Sequence, residues 1–128
     1  DVQQIYQELP ISMFRNNQNY LYGVDAKTAG GVGQLKIVIQ EIGNDQVLWS
    51  DSFTETVSEY NGTNPDPNFK NSIYLSSVFI KKTTRIPVIS GAEKVRFIIT
   101  PISSNVTFDI LDAWLNPFPA VTSQVINP

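Results

Sequence analysis

The sequence predicts an all-β protein, an antiparallel β-sandwich of the jelly-roll type with about eight strands. Two observations predict this fold class. Apolar and polar side chains alternate with a period of two in several segments, and clusters of Gly, Pro and Asn separate those segments. A period of two places alternate residues on opposite faces of a strand, so each strand has one buried and one solvated face. Eight short strands with such turns between them are typical of a sandwich or jelly roll.

The strands in the first half follow from this alternation. The segment IYQELP opens the pattern, and NYLYGVDAK and QLKIVIQEI continue it after loops rich in Asn and Gly. Residues 9–18, which contain Pro10 and two consecutive Asn residues, are predicted to form a loop. The inward residues of the second and third strands are Tyr20, Tyr22, Val24 and Ala26, and then Leu35, Ile37 and Ile39. The first four predicted strands are 3–8, 19–27, 33–41 and 46–58.

The strands in the second half are separated by a long polar loop and two shorter turns. The loop is YNGTNPDPN at 60–68, and the turns are SGAE at 90–93 and PISSN at 101–105. In KVRFIIT, the predicted inward residues are Val95, Phe97 and Ile99. The last four predicted strands are 70–80, 84–89, 94–100 and 105–115. Residues 1–115 are therefore expected to form one jelly-roll domain, followed by an extended Pro-containing tail at 116–128.

Composition excludes several classes of function. The chain of 128 residues carries a net charge of −3, and its nine basic residues are scattered, which argues against binding to nucleic acid. It has no Cys and no His, which excludes disulfides, thiolate chemistry, the commonest general base and most zinc sites. No apolar run approaches the roughly 18 residues of a membrane helix. Charged residues make up only 16%, a composition that suits an extracellular or particle-bound protein.

Three segments in this order resemble a known family. They are IYQELP followed by NNQNYLYGVDAKTAGG, then RIPVISGAEKVRFIITP, and finally FDILDAWL. Together they resemble the galactose-binding-like jelly-roll carbohydrate-binding modules of families 4 and 22. An Asn-Gly-Phe-Glu-type strand that helps to form a calcium site in that family is absent ahead of DVQQIYQ. The domain type recurs in secreted polysaccharide-degrading enzymes and in tail, fibre and capsid-surface proteins of bacterial viruses.

Asp112 is the candidate metal ligand. Strict alternation puts it on one face with Phe108, Ile110 and Trp114, where it would be partly buried and would need partners. The resemblance implies a calcium ligand at this position, and a carboxylate suits this hard cation. The alternative is a structural carboxylate that accepts hydrogen bonds from loop amides. Apart from this structural calcium, no cofactor is expected.

Aromatic residues beside amide and carboxylate groups are the candidates for glycan binding, because sugars offer both apolar faces and hydroxyls. The long loop at 60–68 favours such a role. Trp49 and Trp114 are further possible platforms, but sandwiches bury aromatic residues routinely. Trp49 alternates with Val47 and Phe53, as a core residue does. The candidate glycan-binding residues are Tyr60, Asn61, Asn64, Asp66 and Tyr74.

Two carboxylate pairs could in principle hydrolyse a glycosidic bond: Asp51 with Glu55, and Asp109 with Asp112. Neither pair has a recognisable acid–base context, so the protein is predicted not to be an enzyme. The basic cluster of Lys81, Lys82 and Arg85 is predicted to be a solvated strand edge that discourages edge pairing.

The expected function is that of a non-catalytic module of a virion or other extracellular assembly, structural or adhesive. The expected partners are neighbouring subunits in a homo-oligomer and surface polysaccharide, with no nucleic acid and no membrane insertion. The expected location is the virion surface or the extracellular space. The alternative is a carbohydrate-binding module of a secreted polysaccharide-degrading enzyme.

Overall fold

The computed structural model describes residues 4–16, 18–57 and 78–117. They form seven strands in two antiparallel sheets, which confirms the predicted β-sandwich. A short 3₁₀ turn, Ile11–Met13, follows the first strand. The strands are β1 Ile5–Pro10, β2 Gln18–Ala29, β3 Gly33–Gly43, β4 Gln46–Val57, β5 Val78–Ile86, β6 Lys94–Pro101 and β7 Thr107–Pro117. No helix in the described residues is long and apolar enough to cross a membrane.

The two sheets differ in width. One has four described strands in the order β1-β6-β3-β4, and the other has three in the order β5-β2-β7. Among the described strands, β1 and β4 are the edges of the wide sheet, and β5 and β7 are the edges of the narrow sheet. Lys81, Lys82 and Arg85 all lie on β5, which agrees with the predicted edge position of the basic cluster within the described part of the sheet.

The core lies between the sheets and is formed by the residues that the alternation predicted. Tyr20, Tyr22 and Ile37 are completely buried, and Phe97 and Ile99 are nearly so. Partly buried residues, among which are Trp49 and Phe53, pack against this cluster. The full cluster is Phe14, Tyr20, Tyr22, Val24, Ala26, Leu35, Ile37, Ile39, Val57, Ile86, Val95, Phe97, Ile99 and Leu115.

The prediction of separate strands at 70–80 and 84–89 is wrong for the described residues. A single strand, β5, runs through the expected turn at 81–83, because every residue from Val78 to Ile86 pairs with β2. The strand ends at Ile86, since Pro87 lacks an amide donor and Val88 has a φ of 52°. The last strand extends to Pro117, two residues past the predicted domain boundary. The remainder of the predicted tail, residues 118–128, lies outside the described residues.

One side of the sandwich, between β4 and β5, is closed by a polar network. The Tyr22 hydroxyl donates to Glu55 Oε1 at 2.9 Å, and Lys82 Nζ lies 3.1 Å from the same oxygen. Lys82 also stands over the Phe53 ring, 5.7 Å from its centroid. Burial raises the pKa of the Tyr22 phenol, and the adjacent Glu55 carboxylate raises it further. The phenol therefore stays protonated and acts as the donor that joins β2 to β4.

Glu41 ties the loop before β6 to the core. It is completely buried, and its two carboxylate oxygens accept hydrogen bonds from the backbone amides of Val88 at 2.9 Å and Ile89 at 2.6 Å. A buried carboxylate is tolerated only when such donors compensate its lost hydration. Val88 has a left-handed backbone conformation, with a φ of 52°. The amides of Val88 and Ile89 both bind the Glu41 carboxylate at this point of the loop.

Replacing Glu41 by Gln should lower the free energy of unfolding by about 1–3 kcal/mol, because a neutral amide offers one acceptor oxygen where the carboxylate offers two. Glu93→Gln is the matched control, because exposed Glu93 accepts a hydrogen bond from the Asn44 amide. This change should lower the free energy of unfolding by no more than about 0.5 kcal/mol. Urea unfolding measures both variants. Equal midpoints for the two would contradict the anchoring role of Glu41.

Candidate functional site

Strand β7 contains a β-bulge that decides which of its side chains face outward. Asp25 of β2 pairs with Asp112, and the next residue, Ala26, pairs with Ile110, so Leu111 is the extra residue. The residues of β7 that pack on or within the core are Phe108, Ile110, Ala113 and Leu115. Ile110 and Ala113 are three residues apart, so odd-numbered residues of β7 face the core after the bulge, where even-numbered residues face it before the bulge. Leu111 is 53% exposed, as expected for the additional residue of a bulge.

The bulge corrects the sequence-based position of Asp112. Strict alternation predicted that Asp112 shares a face with Phe108 and Ile110 and is partly buried. In the structure it is exposed and lies on the opposite face from those two residues. The predicted sharing of a face with Trp114 is correct, because both residues follow the bulge and are two apart.

Trp114 lies on Gly23, its direct partner on β2. A Cβ atom at Gly23 would lie 2.3 Å from Cζ2, 2.5 Å from Cε2 and 2.9 Å from Cη2 of the indole. Cε2 and Cη2 are the ring carbons bonded to Cζ2, and both lie only slightly farther than Cζ2 from the position of this Cβ atom. Such similar distances mean that the ring presents its face to Gly23 rather than its edge. The indole therefore occupies the space that a side chain at this position would fill, and Trp114 is only partly buried.

We use the term Trp114 face for the outward side of β2 and β7 around this contact. The paired residues are Gly23 with Trp114, Asp25 with Asp112, and Leu21 with Asn116. Asp25 and Leu21 are partly buried, whereas Asp112 and Asn116 are exposed. The face thus combines an aromatic ring and an aliphatic side chain with two carboxylates and an amide.

A second surface, the β1–β7 groove, lies between the sheets on the side opposite the Lys82 network. It consists of two adjoining cavities of about 290 Å³ and 630 Å³, both lined by Ile5, Ile99 and Ile110. The groove exists because β1 and β7 are both edges of the described sheets. Ile5 and Ile102 line it and are 47% and 50% exposed. Asp112 is one of the residues that line the smaller cavity.

The five predicted glycan-binding residues, Tyr60, Asn61, Asn64, Asp66 and Tyr74, lie outside the described residues, and their role stays a prediction. For Asp112 as a metal ligand, one further carboxylate, that of Asp25, is in register with it. The described part of the chain contains no group of three or more His, Cys, Asp or Glu residues that could hold a metal ion.

Two of the four carboxylates predicted as candidate catalytic pairs, Glu55 and Asp51, make hydrogen bonds within the fold. Glu55 binds Tyr22 and Lys82, and Asp51 Oδ1 accepts a hydrogen bond from the amide of Ser52, its own neighbour. Asp109 is in register with Lys27. The absence of enzymatic activity stays a prediction.

Comparison with known proteins finds a likeness of fold among the solved structures. No protein-family model matches the chain, and no curated protein matches it either. The fold is similar to part of the enzymatically active domain of tailspike protein 4 from bacteriophage CBA120, with a TM-score of 0.58. The match covers 91% of this chain but only 14% of the tailspike chain, and 13% of the residues are identical. It shows a shared sandwich fold, while kinship with the carbohydrate-binding modules is unconfirmed.

The Trp114 face could be recognised only in part from the sequence. The sequence predicted Trp114 as a possible glycan platform and Asp112 as a metal ligand, but it did not predict that Gly23 contributes to the same site. The signal was present: a Gly within the alternating segment NYLYGVDAK often marks the close approach of another group.

A double-mutant cycle tests the contact between Trp114 and Gly23. Gly23→Ala should lower the free energy of unfolding by about 1–3 kcal/mol, because the new methyl group meets the indole. In a Trp114→Ala background the same change should cost little. The control is Gly33→Ala, whose methyl group would meet Phe108 instead, so its effect should persist in both backgrounds. An equal cost of Gly23→Ala in both backgrounds would refute the stacking.

Calcium binding at Asp112 can be tested by thermal unfolding in millimolar calcium and in chelator. We expect an unchanged Tm, because calcium requires six to eight oxygen ligands and two carboxylates are in register here. A ligand that binds only the folded protein would raise Tm. A rise that Asp112→Asn abolishes would establish the calcium site instead.

Proposed function

We propose that the chain is a non-catalytic β-sandwich module of a virion or other extracellular assembly, with a structural and adhesive role. The fold likeness to part of a phage tailspike domain supports the assembly context. Because a sandwich fold serves many functions, the specific role of this chain has to be inferred from its surfaces.

The β1–β7 groove is the observation that carries the structural role. The wide sheet has one described strand more than the narrow sheet, and β1 pairs only with β6. None of the described strands covers the inward side of β1 near Ile5, while the opposite side of the sandwich is closed by Lys82 and Glu55. A groove between two strand edges that exposes isoleucine side chains is suited to burial against a neighbouring subunit. We propose a second copy of the chain as that neighbour.

Measuring the molar mass of the purified chain over a range of concentrations, by light scattering after gel filtration, tests this role. We expect a concentration-dependent oligomer. Ile5→Asp should raise its dissociation constant at least about tenfold, since one buried apolar side chain contributes about 1.5–3 kcal/mol. Val32→Asp is the matched control, because Val32 is 62% exposed but lies in the turn between β2 and β3, outside the groove.

A chain that stays monomeric at the highest concentration would refute the proposed assembly, and an oligomer insensitive to Ile5→Asp would refute the groove as its interface. The alternative function, a carbohydrate-binding module of a secreted enzyme, is favoured by a monomer that binds a polysaccharide tightly. The Trp114 face supports the adhesive role under either function.

A further inference from the structure

We propose that the Trp114 face binds a neutral glycan, with one sugar ring stacked on the indole. This inference deepens the adhesive part of the proposed function and rests on it. Of its residues, Asp112 also lines the smaller cavity of the β1–β7 groove, whereas Trp114 and Asn116 do not line either cavity, so the glycan site can fail while the oligomer persists. The five glycan-binding residues predicted from the sequence lie outside the described residues, and the proposal does not use them.

The indole has the geometry of a stacking platform. One face of the ring lies on Gly23, which fixes the orientation of the ring, and its partial burial leaves other indole surface accessible to solvent. The C–H groups on one side of a pyranose ring form an apolar patch, and burying that patch on an aromatic face is favourable. Because the sheet already holds the ring, little conformational entropy is lost when a sugar binds.

Polar groups stand at a suitable spacing on either side of the indole. Asp112 precedes Trp114 by two residues and Asn116 follows it by two, on the same side of β7. Alternate residues of a strand lie about 6.6 Å apart, a distance comparable with the size of a sugar ring. A carboxylate accepts hydrogen bonds from hydroxyl groups, and an amide both donates and accepts them. Both side chains are exposed, so they can reach a ligand on the ring.

The charge of the narrow sheet favours a neutral ligand. The outward positions of β2 and β7 include Asp25, Asp109 and Asp112 beside Lys27, and Arg85 of β5 is in register with Asn19. The acidic residues outnumber the basic ones among these described side chains. This face therefore does not attract a uronic acid or another acidic sugar.

A purely structural Trp114 would need none of these neighbours. An aromatic ring stabilises a strand glycine by covering it, whatever residues lie two positions away. The bulge at Leu111 has a further consequence, because it turns Asp112 out of the core side and onto the face of the indole. The juxtaposition of ring, carboxylate and amide on one strand is what the glycan proposal explains.

Affinity electrophoresis in native gels tests the proposal, with galactan, mannan, xylan and dextran as neutral probes and alginate as the acidic probe. We expect at least one neutral polysaccharide to retard the wild-type chain. Trp114→Ala should weaken that retardation at least about tenfold, and Asp112→Ala about threefold or more. Val47→Ala is the control, because Val47 is 52% exposed and lies on β4 in the other sheet, so this change should leave the retardation unchanged.

A second measurement keeps the test valid if Trp114→Ala fails to fold. Trp49→Phe leaves Trp114 as the sole tryptophan, since the chain has two. Addition of the retarding polysaccharide should then shift or quench the fluorescence of Trp114. The proposal is overturned if no neutral probe retards the chain, if alginate alone does so, or if the Trp114 emission is unchanged by a probe that binds. Oligomerisation should be the same in the Asn116→Ala variant, because Asn116 does not line either cavity of the groove.

Discussion

One extra residue in β7 determines the surface of this protein. The strand must place Phe108 and Ile110 against the core, and also Ala113 and Leu115. These two pairs are one position out of phase in a regular strand, because Ile110 and Ala113 are three residues apart instead of two. The bulge at Leu111 resolves the conflict by letting one residue leave the ladder. Its partner β2 keeps unbroken alternation from Tyr20 to Ala26, so the whole adjustment falls on β7. Asp112 and Trp114 face outward as a result.

The outward position of Trp114 then depends on Gly23. Any side chain on this residue would occupy the space of the indole, and the glycine in turn leaves a strand position that an aromatic ring can cover. A glycine inside a strand weakens it, and the ring that covers it restores packing. The outer side of the narrow sheet thus acquires a fixed aromatic ring next to a carboxylate and an amide. The β1–β7 groove has a separate origin, because it follows from the unequal width of the two sheets.

The sequence predicted the two-sheet fold and the inward residues of most strands, but it did not predict the bulge in β7, the course of β5 or the role of Glu41. Period-two alternation identified the inward residues of β2, β3 and β6, because hydrophobic burial acts on every second residue of a regular strand. It failed at Asp112, since an extra residue leaves no local mark and becomes visible only against the partner strand. It also split β5, where Lys82 and two threonines resemble a turn, although the segment is strand and Lys82 closes the sandwich edge by binding Glu55. The role of Glu41 was missed because its donors are backbone amides 47 and 48 positions away.

The position of the bulge can be measured directly, because the chain contains no cysteine and a single introduced thiol reports on its own exposure. The test compares thiol labelling rates in the folded variants Asp112→Cys and Leu115→Cys, each relative to its rate in denaturant. The bulge predicts rapid labelling at position 112, which is exposed, and strong protection at position 115, which is buried. Protection at position 112 with rapid labelling at position 115 would mean that β7 alternates without interruption, and the Trp114 face would not exist.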